Sequence, residues 1–216
     1  MRKISDDLWE TDPEYPMPGL STHAYLWQAP SGNVLFYNTT HEHELDRMAE
    51  LGGVARHYLS HQDEIAPSLR AIKQRFGSTL HVSAAEADLV RETATVDEAF
   101  ERRHAVADGL EVIPTPGHTP GSACFVVRSP GGTTYLFTGD SIFRSAEGRW
   151  TAGYIEGMSH RDTLTASLTD IASLTPDVVI SSAFAGDSGV TELGDRAWSD
   201  CVAEALRQLT PEPSTG

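Results

Sequence analysis

Apolar and polar positions fall into short, separated runs along the chain, and most runs have a recognisable period. Leu20 to Ala29 alternates loosely, Pro30-Ser31-Gly32-Asn33 is a turn cluster, and Val34-Leu35-Phe36-Tyr37 is a short apolar run. Together these predict a hairpin. The period then lengthens. Glu42 to Leu51 places Leu45, Met48 and Ala49 at helical spacing and stops at Gly52-Gly53. A short strand from Ala55 to Ser60 comes next. After it, a helix near Ile65 to Phe76 carries Ile65, Leu69, Ile72 and Phe76 on one face and ends at Gly77. Thr79 to Val82 reads as strand and Ala84 to Glu92 as helix. The polar, charged stretch from Thr93 to Asp108 fits neither period.

The second half returns to period two. Leu110 to Pro114, Ala123 to Arg128 and Thr133 to Thr138 are predicted strands, the last two joined by Ser129-Pro130-Gly131-Gly132. Ser159 with Asp162 resembles a capping box opening a helix that carries Leu164, Leu168 and Ile171. Val178-Val179-Ile180 reads as a buried strand, and Trp198, Val202, Ala205 and Leu209 form the stripe of a last helix. Strands, helices, strands, helices in that order predict a layered α/β fold. No internal repeat or low-complexity linker breaks the chain, so residues 1–216 read as one domain.

Composition narrows the function classes. Sixteen basic residues against 31 acidic ones give a net charge of −15, which argues against nucleic acid as a partner. No run approaches the roughly 20 apolar residues of a membrane span. Basic residues near Met1 have no apolar run behind them, so no signal peptide is read. Two cysteines, Cys124 and Cys201, form neither a disulfide framework nor a thiolate metal motif. The expectation is a soluble, cytoplasmic protein with no membrane and no nucleic acid partner.

Nine histidines are a mild excess, and three segments give some of them a chemical context. In Ile113-Pro114-Thr115-Pro116-Gly117-His118-Thr119-Pro120-Gly121-Ser122, prolines and a glycine stiffen a loop at a strand end. The segment reads either as a device presenting one imidazole or as a Pro/Gly turn with an incidental histidine. Leu136-Phe137-Thr138-Gly139-Asp140 puts a carboxylate just past a strand, which by itself is ordinary. In Ser60-His61-Gln62-Asp63-Glu64, His61 and Asp63 would share a side if the strand continued at period two, and could then ligate one ion. Alternatively, Asp63 caps the following helix.

The three segments together resemble the metallo-β-lactamase superfamily, particularly its glyoxalase II-like branch. The resemblance implies a four-layer αββα sandwich. The family's first metal motif reads His-x-His-x-Asp-His; set on His61, this chain keeps the first histidine, puts Asp63 at the second, and has Ile65 and Ala66 at the last two positions. A late family histidine is missing from Ser181-Ser182-Ala183-Phe184. The second metal site thus loses every ligand except the shared Asp140. The first keeps His61, Asp63, His118 and Asp140, a set suited to one divalent ion, Zn²⁺, Fe²⁺ or Mn²⁺, or to none if the site is silent.

By resemblance the expected activity is hydrolysis of a small-molecule thioester, ester or lactone, with Asp140 or Asp63 orienting a metal-activated water. His61, His118 and Asp140 also make a two-His-one-carboxylate set, so a mononuclear iron oxygenase of the persulfide-dioxygenase type is an alternative. The other is a catalytically silent binding protein. Among further histidines, His57 and His61 lack the glutamate of a zincin, His41 and His43 are expected to diverge at a helix start, and His81 reads as a strand residue. Phe143, Trp150 and Tyr154 follow Asp140 and read either as pocket lining or as core.

Overall fold

The computed structural model describes residues 1–184 and 188–209. Successive residues of each apolar run face opposite sides of their strand, and this alternation builds the layers. Tyr25, Trp27, Val34 and Phe36 meet Phe125, Val127, Tyr135 and Phe137 in a core between two sheets. Leu26 and Leu35 face the other way, onto Leu45 and Met48 of helix α1 (Glu42–Glu50) and Ile72 of α2 (Ser68–Phe76). Leu69 of α2 and Val90 of α3 (Ala87–Arg91) cover Leu80 and Val82 of the same sheet. On the far side, Cys124, Val126 and Leu136 pack under α4 (Arg161–Ile171) and α5 (Trp198–Leu209). The result is an αββα sandwich.

The first sheet has seven strands, and at its centre Val34–Phe36, Arg56–Tyr58 and Thr79–Ser83 run parallel. The second has six, with Thr134–Gly139 parallel to Val178–Ser181. A small sheet joins Glu14–Met17, Leu20–Thr22 and Ala183–Phe184 across one edge of the sandwich. Ligand sites of open α/β sheets lie outside the carboxyl ends of the strands. Here the chain leaves Arg56–Tyr58, Leu110–Pro114, Thr134–Gly139 and Val178–Ser181 toward one shared edge.

Several elements differ from the sequence reading. Leu20–Thr22 leaves the hairpin for the small sheet. Helix α2 starts only at Ser68, because Pro67 disfavours helical backbone at Ala66. The stretch from Thr93 to Asp108 supplies two short edge strands, Glu98–Phe100 and His104–Ala105, one per sheet. Edge strands bury little, so they carry no core-facing period. The N-cap of α4 is His160, whose ring accepts from Thr163 N, rather than Ser159. Among the described residues no helix is long and apolar enough to cross a membrane. Both cysteines are free and buried.

Candidate metal centre

His61 follows its strand in extended backbone, and the chain then turns through a single 3₁₀ turn, Gln62–Glu64. That turn, not continued strand, swings the Asp63 carboxylate back toward His61. Asp63 does not cap α2, whose N-cap is Pro67. His118 stands on the Pro-Gly loop after Leu110–Pro114, and Asp140 directly follows Gly139 at the end of its strand.

Each of the two carboxylates approaches both imidazoles. Asp63 Oδ2 lies 3.7 Å from His61 Nε2 and 3.7 Å from His118 Nε2. Asp140 Oδ2 lies 3.4 Å and 3.8 Å from the same two nitrogens. Donor atoms of His61, Asp63 and His118 all fall within 4.8 Å of one another. Four ligands about 2.0–2.2 Å from an ion are separated by tetrahedral edges of roughly 3.3–3.6 Å. His61, Asp63 and His118 thus form a candidate three-residue site for a small divalent cation, with Asp140 Oδ2 beside both imidazoles.

The unmet hydrogen-bonding capacity agrees with this. Among the described residues, three buried side-chain nitrogens or oxygens lack a partner, and two are the Nε2 atoms of His61 and His118. Buried polar atoms normally find partners, and an ion between these rings would satisfy both.

Each candidate ligand except Asp63 is gripped from behind. His118 Nδ1 donates to Gly153 O at 2.7 Å, which leaves the Nε2 lone pair facing the centre. His61 Nδ1 lies 2.9 Å from Ser60 Oγ and 3.3 Å from Glu64 Oε1, and the Ser60 hydroxyl donates to the same glutamate. Asp140 Oδ1 accepts from Ser182 Oγ and, at 3.1 Å, from Ala183 N, freeing Oδ2. Such outer partners fix ring tautomer and carboxylate direction. Gly153 fits because it has no side chain: a Cβ there would fall 1.7 Å from Asp140 O.

The electrostatics follow the geometry. Without an ion, burial opposes a charge on His61, but Asp140 and Glu64 outweigh it and raise the imidazole pKa well above its ordinary value. Burial likewise opposes ionisation of Asp140, yet His61, His118 and Ser182 hold its carboxyl well below the usual range. Hydrogen bonding with His118 lowers Asp63 in the same way. Burial pushes Glu64 upward despite its contacts with His61 and Ser60. The site thus holds negative charge where a cation would sit.

The centre lies in a cleft of about 710 Å³. The sequence of Leu35 to Ala183, which contains every one of these side chains, matches the Metallo-beta-lactamase superfamily model, over residues 35–183. The chain belongs to the metallo-beta-lactamase superfamily. Among solved structures it is similar to a metallo-beta-lactamase from Pontibacter korlensis, at 18% identity and a TM-score of 0.73 over 98% of each chain. It is also similar to the DIM-1 metallo-beta-lactamase, at 14% identity and 0.71 over 95% of this chain and 96% of that one. A third likeness is to the Cronobacter sakazakii metallo-beta-lactamase with a HARLDQ motif, at 15% identity and 0.58 over 80% and 78%. At such identities these likenesses show the fold alone. No curated protein matches.

Glu64, Ser182 and Gly153 were not singled out as functional residues from the sequence. Trp150 lies in the core under α4 and α5, with Tyr154 packed against it, and neither they nor Phe143 line the cleft. Its wall comes instead from the N-terminal segment, including Tyr15, Met17 and His23. His41 and His43 do not diverge: their rings are 5.1 Å apart, with His41 directed at Pro13 O and His43 at Asp12.

Proposed function

We propose that the protein is a mononuclear metal-dependent hydrolase acting on an ester, thioester or lactone, as the glyoxalase II-like character of its motifs suggests. The observation that carries the reading is the convergence of two unpartnered, buried imidazole nitrogens with two carboxylates. His61, Asp63, His118 and Asp140 hold one Zn²⁺, Fe²⁺ or Mn²⁺. A divalent ion so held supplies Lewis-acid chemistry, acidifying water and polarising a carbonyl. Ile65 and Ala66 offer no side-chain donor for a second ion, and Ser181-Ser182-Ala183-Phe184 contains no histidine.

Asp63 is half-exposed, with 48% of its side chain in solvent, and among the described residues nothing outside the cluster anchors it. It is therefore the group free to move a proton. Asp63 takes the proton of a water as the water oxygen joins the acyl carbon. The bond from that carbon to the leaving oxygen or sulfur then breaks, and the leaving atom receives the proton from Asp63. His61, His118 and Asp140, gripped from behind, keep their geometry throughout.

Metal analysis of protein purified without added ion, combined with an ester-hydrolysis assay, tests this. About one equivalent of zinc or manganese, lost in His118→Ala together with activity, is the expected result. Iron with oxygen consumption would replace the hydrolase with the oxygenase reading. No bound metal, with a melting temperature unmoved by added Zn²⁺, Mn²⁺ or Fe²⁺, would leave only a silent fold.

A further inference from the structure

We propose that the cleft takes an uncharged ester, thioester or lactone with an apolar acyl arm and rejects acyl compounds that carry an anionic group; as a substrate class this rests on the hydrolase reading above. Two independent features point there, one apolar and one electrostatic.

Large apolar side chains stand in solvent at the cleft. Tyr15 is 73% exposed and Met17 58%, both on the strand Glu14–Met17, and Ile155 is 48% exposed. All three line the cleft, together with Leu20 and the residues of the centre. Most of the exposed large hydrophobics of the described residues thus gather at one opening. Contiguous apolar surface of this kind marks a binding site for an apolar group.

No cation waits for an anion. Among the described residues that line the cleft there is no lysine or arginine, while Glu14, Asp63, Glu64 and Asp140 are all present. The two undescribed segments, 185–187 and 210–216, contain neither residue type in sequence. A bound divalent ion would be neutralised by Asp63 and Asp140. Glu14 lines the cleft and accepts from Thr39 Oγ1, Thr40 N and Thr40 Oγ1, each at 2.6 Å. The imidazoles His23 and His41 face carbonyl oxygens of Thr11 and Pro13 through one ring nitrogen each. A carboxylate or phosphate entering this cleft would lose hydration without gaining a fixed counter-charge, inside a protein of net charge −15.

The test compares two esters of equal chain length on the metal-loaded full chain: p-nitrophenyl hexanoate and the p-nitrophenyl monoester of adipic acid. They differ only at the far end, methyl against carboxylate. The expected result is a kcat/KM about tenfold or more higher for hexanoate. Binding of the corresponding unreactive anilides, N-phenylhexanamide and its ω-carboxylate, is measured by calorimetry and does not depend on turnover. The variant Met17→Lys, at an exposed position, should narrow both preferences by raising acceptance of the carboxylates. Equal or better turnover of the adipate ester, equal or tighter binding of the carboxylate anilide, or no binding of either anilide at millimolar concentration would overturn the inference. Discrimination between the anilides with no cleavage of either ester would uphold the cleft's selectivity while removing the hydrolase reading.

Discussion

Removal of one buried hydroxyl, in Tyr37→Phe, should loosen the metal centre without touching a ligand. Tyr37 has a φ of +66°, a left-handed conformation that costs a residue with a side chain about 1–2 kcal/mol. The fold holds it there through every polar group. Its N–H donates to Tyr58 O at 3.0 Å, its carbonyl faces His57 Nε2 at 2.6 Å, and its buried hydroxyl bridges two strand ends. That hydroxyl donates to Ile180 O at 2.7 Å and accepts from Gly139 N at 2.9 Å. Gly139 precedes the proposed ligand Asp140, and Ile180 lies two residues before Ser182, which grips Asp140.

In the phenylalanine variant Ile180 O keeps Thr138 Oγ1 at 3.3 Å, but Gly139 N loses its partner. The lost bonds and the unsatisfied N–H together predict a destabilisation of about 2–3 kcal/mol. Slackening of Asp140 predicts zinc affinity about tenfold weaker, the lower end of what outer-partner mutations produce. Urea unfolding of the metal-free protein gives the first number, and zinc titration against a competing chelator gives the second. Tyr135→Phe is the control. Tyr135 lies on the same strand, but its hydroxyl contacts Ser5 Oγ at 2.8 Å and Asp7 Oδ1 at 3.0 Å, away from the centre. If Tyr37→Phe lost stability but bound zinc as tightly as Tyr135→Phe, the bridge would have no part in positioning Asp140.

Other changes probe the same centre from different sides. Gly153→Ala forces a Cβ into Asp140 O and crowds His118 Nδ1 at 3.3 Å, so zinc binding should be abolished; a variant with wild-type zinc affinity would refute the placement of His118. Glu64→Gln keeps the shape but removes the carboxylate behind His61, and zinc titration should show roughly ten- to hundredfold weaker binding, whereas an unchanged affinity would make Glu64 merely structural. Asp63→His restores an imidazole at that position, and the ratio of zinc to manganese affinity should rise by about tenfold in competition titrations; a ratio that fell would contradict ligation by Asp63. His57 is fully buried, and burial pushes its pKa down to about 4. Because the unfolded chain binds this proton near 6.5, stability is lost as pH falls from about 6.5 through 4, by about 3 kcal/mol in all. His57→Gln should flatten that part of the wild-type stability curve measured by urea unfolding between pH 7 and 4.5, and an equally steep variant curve would exclude His57 as the source.

The layers were legible because short apolar runs are a local property: Tyr25-Leu26-Trp27 and Val34-Leu35-Phe36 are apolar throughout, as strands buried on both faces must be. His118 and Asp140 were legible as candidates for a similar reason, since each sits at a punctuated strand end. Asp63 reaches His61 through a 3₁₀ turn rather than through the continued strand expected from period two. Whether chain after Ser60 stays extended or tightens into a 3₁₀ turn depends on contacts made elsewhere, including Glu64 accepting from Ser60 N at 2.8 Å. Glu64 and Ser182 gain their roles only through that turn and through the approach of a strand end some forty residues beyond Asp140. The cleft wall was not legible because exposed apolar residues near Tyr15 have no period to read, and of the two readings open for Trp150, lining or core, the structure shows core.

The exchange of an imidazole for Asp63 connects the centre to the cleft around it. In the proposed centre two carboxylates would cancel the charge of a divalent ion, so that the loaded centre would present no net positive field into the cleft. Oxygen donors also shift preference toward harder ions than an all-imidazole set would. Glu64 behind His61 works in the same direction, by making that ring a stronger donor and the ion a milder acid. An ion so neutralised has little to offer an anionic substrate, and the wall supplies no lysine or arginine in its place. Under the proposed function, ligand set and lining favour the same occupant: an uncharged acyl compound, held by its apolar arm and activated only at its carbonyl.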